Sequence, residues 1–281
     1  MRLNQDRSGS LGGRYNKYLL FNVLHYYFAS FAMIPRFYFP GSLPHAGEVV
    51  LPPASAHHAL KVLRLGSGDS VVLFDGSGGE LHARLDVRAP LAVAVGCQWQ
   101  EVSRESPLGI VLVQALASGD KMDWIIQKAV ELGAAGIIPV QAARSVLRLG
   151  GERAGKKCEH WRQVVIAACE QCGRNRLPFI APVQSLAACL AQVPDAARWI
   201  LVPGGEPLSA IQPVPSPMHL FIGPEGGWSD EELALCLRAG CRAIGLGPRI
   251  LRTETAGLAA LAALQARAGD FQEAGSGHIL G

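Results

Sequence analysis

The chain has 281 residues, of which 49% are hydrophobic and 17% charged, and its formal net charge is +3. This composition excludes an intrinsically disordered chain and, at roughly 150 residues per domain, favours about two globular domains. The basic excess is too small to identify a nucleic-acid-binding protein, although it permits one where Lys and Arg cluster.

Residues 1–32 combine basic side chains with an apolar run that ends in small residues. That order of features is found in secretory signal peptides. The run is too short and too interrupted to span a bilayer, so we expect no association with a membrane. We favour an extension upstream of a start at Met33 that does not belong to the fold, and an export signal is the alternative.

Residues 33–103 are predicted to form a small β-barrel domain with one helix. Strand-like patterns cover residues 36–39, 71–74, 80–87 and 91–97, with a strong turn signal at residues 75–79. A helix is predicted for residues 55–63, with Ser55 as its candidate N-cap. Residues 57–64 mix basic and apolar side chains, as the edge of an RNA-binding surface does, and an ordinary amphipathic helix is the alternative.

The polar residues 101–107 are the predicted linker, and residues 107–270 the second domain. Its predicted strands are residues 108–115, 136–140, 199–202, 219–222 and 243–246. Its predicted helices are residues 120–132, with Asp120 as a candidate cap, 159–172, 229–239 and 253–268. Strands and helices that alternate in this way predict an α/β fold with a mostly parallel sheet covered on both faces. Residues 271–281 are expected to be a tail.

The seven cysteines are scattered, and their odd number does not indicate a disulfide framework. Cys169 and Cys172 form a close pair, but a zinc site would need further ligands, and His160 alone is weak support. The pair lies near the end of a predicted helix, whereas a thioredoxin-like site opens one. We therefore expect buried or half-buried thiols in a reducing compartment, no metal, and a cytoplasmic location.

Three loops rich in Gly and Pro follow predicted strands, at residues 203–205, 223–227 and 247–252. Ligands of open parallel sheets bind beyond the carboxyl ends of the strands. The second loop leads into a capping box formed by Ser229 and Glu232, and such a helix start can bind an anion. We predict a ligand site here, with a plain strand–turn–helix connection as the alternative. Neither a dinucleotide-binding fingerprint nor a Walker A motif is present.

Two segments carry a resemblance to a known family: Gly-Pro-Glu-Gly-Gly at residues 223–227, and Leu-Gly-Pro-Arg-Ile-Leu-Arg-Thr-Glu-Thr-Ala at residues 246–256. Further matches lie at residues 35–38, 57–64, 121–124, 127–128, 131–133 and 170–174. From residue 33 to about residue 268, the chain resembles the bacterial RsmE family of 16S rRNA uridine-N3 methyltransferases, of the SPOUT class. Cys172 departs from the pattern, since a small hydroxylic residue such as Ser is expected there, and residues 1–32 have no counterpart.

The resemblance implies a PUA-like amino-terminal β-barrel and a carboxy-terminal α/β domain tied in a trefoil knot. It implies S-adenosyl-L-methionine as the cofactor, 16S rRNA or the small ribosomal subunit as the substrate, and a homodimer with each active site at the interface. A non-catalytic RNA-binding dimer is the alternative.

The residues predicted to bind the cofactor lie in the three loops and beside them: Leu201, Pro203, Gly223, Pro224, Glu225, Gly226, Gly227, Leu246, Gly247, Ile250, Leu251, Arg252 and Thr253. Arg174 and Arg252 are candidates to stabilise negative charge on the uracil, and Glu254 is a candidate base. Two alternatives stay open: Arg174 contacts an RNA phosphate, and Glu254 simply favours the helix dipole.

The predicted RNA-binding residues are Arg36, His57, Lys61, Arg64, Arg144 and Arg176. A basic stretch between two elements of the second sheet contains Arg144, Arg148, Arg153, Lys156 and Lys157. This stretch is either a solvated loop or an rRNA-binding surface.

Overall fold

The computed structural model describes residues 34–193 and 197–272. The predictions for residues 1–32 and for residues 273–281 of the tail lie outside the described residues. Residues 35–193 and 197–272 belong to one compact unit. No helix within these ranges is both long and apolar enough to cross a membrane.

A five-stranded sheet occupies the first part of the described chain. Its strands are β1 (Arg36–Tyr38), β2 (Val49–Val50), β3 (Ser70–Phe74), β4 (Glu80–Arg88) and β5 (Leu91–Gln100). They lie in the order β1-β3-β4-β5-β2, with β1 and β3 parallel and the other pairs antiparallel. The inward side chains, among them Phe37, Leu73 and Leu81, form a separate hydrophobic core. β2 was not predicted, because two residues are too few to show an alternating pattern.

The helix predicted for residues 55–63 begins earlier and changes geometry midway. α1 (Pro53–His57) continues as a π-helical segment, His58–Val62. The prediction that Ser55 is the N-cap is wrong: Pro52 holds the cap position, with no side-chain cap hydrogen bond. Pro53 fits the first turn because the N–H that proline lacks has no helical partner there.

The second sheet has seven strands, and all of its pairs are parallel, which confirms the predicted mostly parallel sheet. The strands are β6 (Ile110–Ala115), β7 (Gly136–Gln141), β8 (Phe179–Ile180), β9 (Gln184–Ser185), β10 (Arg198–Pro207), β11 (Met218–Ile222) and β12 (Arg242–Gly245). Their order is β12-β10-β11-β6-β7-β8, and β9 also pairs with β7. The short β8 and β9 were not predicted.

Helices cover both faces of this sheet. They are α2 (Lys121–Glu131), α3 (Gly151–Cys172), α4 (Leu186–Gln192), α5 (Asp230–Arg238) and α6 (Thr253–Ala268). Side chains of α2, α3 and α6 share one core cluster with the sheet, and side chains of α4 and α5 share another on the opposite face. This arrangement confirms the predicted covering of both faces.

Several helix ends differ from the prediction. α3 begins at Gly151 rather than at residue 159, because its first turns are too polar to show an apolar periodicity. Of the two alternatives for the basic stretch, the solvated loop is therefore wrong for Arg153, Lys156 and Lys157, which lie on this helix. Asp120 precedes α2 but makes no side-chain cap hydrogen bond. The capping box of Ser229 at the start of α5 is confirmed.

β10 pairs with β12 twice. Trp199 to Leu201 pair with the first part of β12, and after a register shift Glu206 and Pro207 pair with its end. A Cβ added at Gly205 would lie 2.4 Å from the carbonyl carbon of Ile244, so only glycine allows the two backbones to come this close. The prediction of a loop at residues 203–205 is therefore wrong: these residues lie within β10, whose backbone is in close contact with the end of β12.

A buried carboxylate joins the first sheet to the rest of the molecule. Glu80 in β4 is 1% exposed and accepts hydrogen bonds from Arg36 at 2.6 Å and from Arg104 at 2.9 Å. Arg36 also donates to the Asn175 side chain, and Arg104 to the carbonyl of Gly173. Burial raises the pKa of Glu80, but the hydrogen bonds, led by those from Arg104 and Arg36, hold it well below its usual range.

Candidate cofactor-binding site

The carboxyl ends of β11 and β12 and the middle of β10 border a cavity of about 760 Å³. Pockets for small ligands typically have volumes of this order. Three stretches of chain line it: residues 201–203, 222–228 and 246–254. Every residue predicted to bind the cofactor lies along its wall, namely Leu201, Pro203, Gly223, Pro224, Glu225, Gly226, Gly227, Leu246, Gly247, Ile250, Leu251, Arg252 and Thr253.

The loop at residues 223–227 is held from outside the cavity. Arg144 donates hydrogen bonds to the carbonyls of Gly226, at 3.3 Å, and of Trp228, at 3.2 Å. Glu232, which completes the capping box of α5, also accepts a hydrogen bond from the backbone N–H of Ala143 at 2.6 Å. The segment after β7 therefore fixes both the loop and the helix that follows it.

Charged side chains meet on one wall of the cavity. Glu225 Oε1 accepts hydrogen bonds from the Ser118 N–H (2.9 Å), the Ser118 hydroxyl (2.7 Å) and Lys121 Nζ (3.1 Å). Burial raises the pKa of Glu225, but the hydrogen bonds, led by those from Ser118, outweigh it and lower the pKa to about 2. Lys121 Nζ also lies 3.8 Å from Glu254 Oε2. Glu225 is thus held in place through Oε1, whereas Glu254 Oε2 makes the longer contact with Lys121.

Two polar atoms of the wall are buried without a hydrogen-bond partner among the described residues. They are Glu254 Oε2 and Trp228 Nε1. Buried polar atoms are normally paired, so unpaired ones in a cavity wall are typical of a ligand site.

The wall suits a ligand such as S-adenosylmethionine. Apolar side chains, including Leu201, Leu246 and Leu251, can pack on an adenine ring, and the glycine loops offer backbone donors and acceptors to its edge. Glu225 and Glu254 supply negative charge for a sulfonium cation. The residues present therefore fit this cofactor.

The structure brings two of the three predicted catalytic residues to the cavity. Arg252 and Glu254 line it, and Arg174 does not. Arg174 is 5% exposed, and its guanidinium donates to the carboxylate of Glu105 and to the carbonyls of Val130 and Ala134. A side chain that is buried and paired in this way holds neighbouring segments together, so the structure argues against a catalytic role for Arg174.

The predicted RNA-binding residues fall into two groups. Those with exposed side chains are His57, Lys61, Arg64, Arg144 and Arg176. Arg36 differs, because 9% of its side chain is exposed and it donates to Glu80 and Asn175. The structure therefore places Arg36 at the contact between the two sheets, and an RNA-binding role is not supported by its position.

Lys121, Ser118 and Trp228 were not predicted as site residues. The family resemblance covers Lys121 but assigns it no role. Lys121 and Glu225 are 104 positions apart, so only the folded chain places them in contact.

The cysteine pair behaves as expected for thiols inside a fold. Cys169 is fully buried and Cys172 partly so, and burial raises the pKa of Cys169 to about 12. Across residues 34–193 and 197–272, no group of three His, Cys, Asp or Glu side chains is placed to share a metal ion.

Known protein families match two parts of the chain. An RNA methyltransferase domain matches residues 104–265, and an RNA methyltransferase PUA domain matches residues 51–87. The chain is 37% identical over 221 residues to the ribosomal RNA small subunit methyltransferase E of Bacillus subtilis, and the match covers 74% of this chain and 86% of that protein.

Two similar solved structures contain the cofactor. The ribosomal RNA small subunit methyltransferase E from Neisseria gonorrhoeae, bound to S-adenosyl methionine, is 40% identical with a TM-score of 0.79. A methyltransferase from Legionella pneumophila, in complex with the bound cofactor SAM, is 37% identical with a TM-score of 0.79. Each match covers 85% of this chain and 100% of the other chain.

Proposed function

The chain belongs to the RsmE family of ribosomal RNA small subunit methyltransferases, and on that basis we propose that it methylates N3 of a uridine in 16S rRNA. The observation that carries the proposal is the cavity at the carboxyl ends of β11 and β12, beside the middle of β10, whose wall combines glycine-rich backbone with the carboxylates of Glu225 and Glu254. The proposed cofactor is S-adenosylmethionine, bound by the cavity residues.

S-adenosylmethionine supplies a methyl group whose bond to sulfur breaks, leaving the electron pair on sulfur, as the nitrogen lone pair of the uracil forms the new bond. The protein must hold the uracil in line and accept the proton that leaves N3. Glu254 is the proposed base, because one of its oxygens is buried and has no hydrogen-bond partner among the described residues. Arg252, on the same wall, is proposed to stabilise the negative charge on the uracil oxygens.

The proposed domains are a PUA-like β-barrel at residues 33–103 and a SPOUT domain at residues 107–270. A trefoil knot in the second domain, a homodimer and a cytoplasmic location are proposed on the family membership.

Exposed basic side chains are the proposed contacts with rRNA. His57 and Lys61 lie on the helical segment and Arg64 follows it, with exposed Val62 among them. Arg144 and Arg176 are two separate candidates, since Arg144 follows the carboxyl end of β7 whereas Arg176 precedes β8, which pairs with the amino end of β7. Such side chains bind phosphate oxygens and position the RNA rather than read its sequence.

The test measures methylation of 16S rRNA and of small ribosomal subunits by the purified full-length protein. Mass spectrometry of the nucleosides should show 3-methyluridine only with added S-adenosylmethionine. Binding of the cofactor without any methylated nucleoside would overturn the enzymatic proposal in favour of a non-catalytic RNA-binding protein.

A glycine pair tests the site itself. Gly227 and Gly240 both have positive φ, 70° and 80°, and open space where a Cβ would lie. Val at either position strains the backbone similarly, but only Gly227 lines the cavity. Gly227→Val should weaken S-adenosylmethionine binding in calorimetry by tenfold or more, about 1.4 kcal/mol, and Gly240→Val should not. Equal affinities of the two variants would reject this cavity as the cofactor site.

A further inference from the structure

A buried glutamine contacts the wall of the cavity from inside the sheet. Gln114 lies in β6, where all the other residues are apolar, and its side chain is 0% exposed. Burying an amide costs free energy unless its polar atoms are paired. Its position in the central part of the sheet therefore requires a structural reason.

Two hydrogen bonds in series connect this amide to a cavity loop. Gln114 Nε2 donates to the carbonyl of Ala115 and to Thr253 Oγ1, both at 2.9 Å. Thr253 Oγ1 donates in turn to the carbonyl of Gly223 at 2.6 Å. Thr253 is the first residue of α6, and Gly223 is the first residue after β11. The series therefore links a core strand, a helix start and the loop at residues 223–227.

The direction of each bond follows from the chemistry of the groups. A carbonyl oxygen only accepts, so the amide must turn Nε2, and not Oε1, toward Ala115. The Thr253 hydroxyl has one proton, which it gives to the carbonyl of Gly223, and it accepts from Gln114. Without the Gln114 amide, nothing in this series would hold the hydroxyl in that orientation.

α6 comes unusually close to the sheet at this point. A Cβ added at Gly257, one turn after Thr253, would lie 3.3 Å from side-chain atoms of Leu112 and Ile222, and 3.6 Å from Gln114 Oε1. The missing side chain lets the helix start approach β6. Thr253 can therefore reach Gln114.

We propose that Gln114 is a positioning residue of the cofactor site, which orients the Thr253 hydroxyl and, through it, the Gly223 carbonyl. Gly223 and Thr253 line the cavity, whereas Gln114 does not, so it acts without touching the ligand. A loop with three glycines has many accessible conformations, and binding is stronger when the bound conformation is already set. The proposal rests on the proposed cofactor site.

The test measures S-adenosylmethionine binding to full-length variants by calorimetry. Gln114→Leu keeps the approximate size of the side chain and removes its polar atoms, and it should raise the Kd about tenfold, the scale of one lost hydrogen bond. Thr253→Val should have a similar effect. Thr253→Ser keeps the hydroxyl and should stay within about twofold of the wild type. In kinetics, the KM for the cofactor should rise while the KM for rRNA stays unchanged.

The chain offers a matched control at the other end of α6. Gln265 is also 0% exposed, and its Nε2 donates to the carbonyl of Leu132 at 3.0 Å. At 1.5 Å per residue, it lies about 18 Å along the helix from Thr253. Gln265→Leu should lower the Tm, as Gln114→Leu should, but leave the Kd unchanged.

A double variant tests whether Gln114 acts through Thr253. If it does, adding Gln114→Leu to Thr253→Val should cause no further loss of affinity for S-adenosylmethionine.

Three results would overturn the proposal: an unchanged Kd in Gln114→Leu, additive effects in the double variant, or an equal rise in Kd in Gln265→Leu. If Gln114→Leu fails to fold, the proposal is tested by comparing the two Thr253 variants. Equal affinities of Thr253→Val and Thr253→Ser for S-adenosylmethionine would contradict the series of bonds. A wild-type protein that does not bind S-adenosylmethionine would overturn the proposed function itself, and this inference with it.

Discussion

Arg174 is almost fully buried, and all three of its guanidinium nitrogens donate hydrogen bonds. Arg174→Ala would leave the Glu105 carboxylate without its charged partner and would remove one donor each from the carbonyls of Val130 and Ala134. We predict a loss of about 3 kcal/mol in the free energy of unfolding, as for other broken buried ion pairs. Urea denaturation, monitored by tryptophan fluorescence, measures this loss in the free energy of unfolding.

The neighbouring Arg176 provides the control, since its side chain is exposed. Arg176→Ala should change the stability by no more than about 0.5 kcal/mol. If Arg174→Ala is as stable as the wild type but inactive, the catalytic assignment of Arg174 is restored and the structural one is wrong.

Glu225 makes the cavity wall sensitive to acid. Its pKa in the folded protein is about 2, below the ordinary value of 4.5. A lowered carboxyl pKa stabilises the fold above pH 4.5, and this contribution is lost as the pH falls toward 2. Glu225→Gln should therefore be less stable than the wild type at pH 7, by about 1 kcal/mol for a partly exposed group. The difference should shrink in acid, and denaturation curves that differ equally at neutral and acid pH would contradict this account.

At the scale of elements, β10 and β12 approach closely through their backbones at Gly205 and Ile244. A Cβ at Gly205 would lie 2.4 Å from the Ile244 backbone, which cannot move aside as a flexible side chain would. We predict that Gly205→Ala lowers the free energy of unfolding by more than about 2 kcal/mol.

Gly204, the adjacent residue, is the control for that prediction. Its φ is +74°, and a Cβ there would meet nothing within 4 Å. Gly204→Ala should cost only the backbone strain of a left-handed conformation, about 1 to 2 kcal/mol. Thermal unfolding of both variants distinguishes the cost of the clash at Gly205 from the cost of the backbone strain at Gly204. Equal losses would show that the strands can separate enough to admit a side chain.

At the scale of the whole molecule, the buried Glu80 pairs with Arg36, which donates a hydrogen bond to Asn175, and with the partly exposed Arg104. Glu80→Gln keeps the shape but leaves two arginines without a charged partner. We predict a loss of about 3 kcal/mol in the free energy of unfolding. Because the pKa of Glu80 is lowered in the folded protein, this stabilisation is present above pH 4.5 and lost in acid.

The exposed pair of Glu48 and Arg88 is the matched control, with about half of each side chain accessible. Glu48→Gln should lower the free energy of unfolding much less than Glu80→Gln does, because water screens the exposed pair. Denaturation at neutral pH compares the two variants. A loss in Glu80→Gln no larger than that in Glu48→Gln would mean that the buried cluster does not stabilise the contact between the sheets.

The sequence alone was sufficient for the parallel sheet, for most of its strands and helices, and for the two cavity loops at residues 223–227 and 247–252, whereas the loop predicted at residues 203–205 lies within β10. Those features are local: alternation and periodicity reveal the elements, and Gly, Pro and a capping box reveal the loops between them. α6, predicted at residues 253–268, was found at Thr253–Ala268. Elements of two residues, such as β8 and β9, contain too little pattern to be predicted.

Only the tertiary structure decided which charged residues face the cavity and which are buried. Arg36 and Arg174 look like surface cations in the sequence, yet their partners Glu80 and Glu105 lie dozens of positions away and bury them. Lys121 reaches Glu225, and Gln114 reaches Thr253, across more than a hundred positions. The strength of an ion pair or hydrogen bond depends on distance and burial in space, and neither can be read from spacing along the chain.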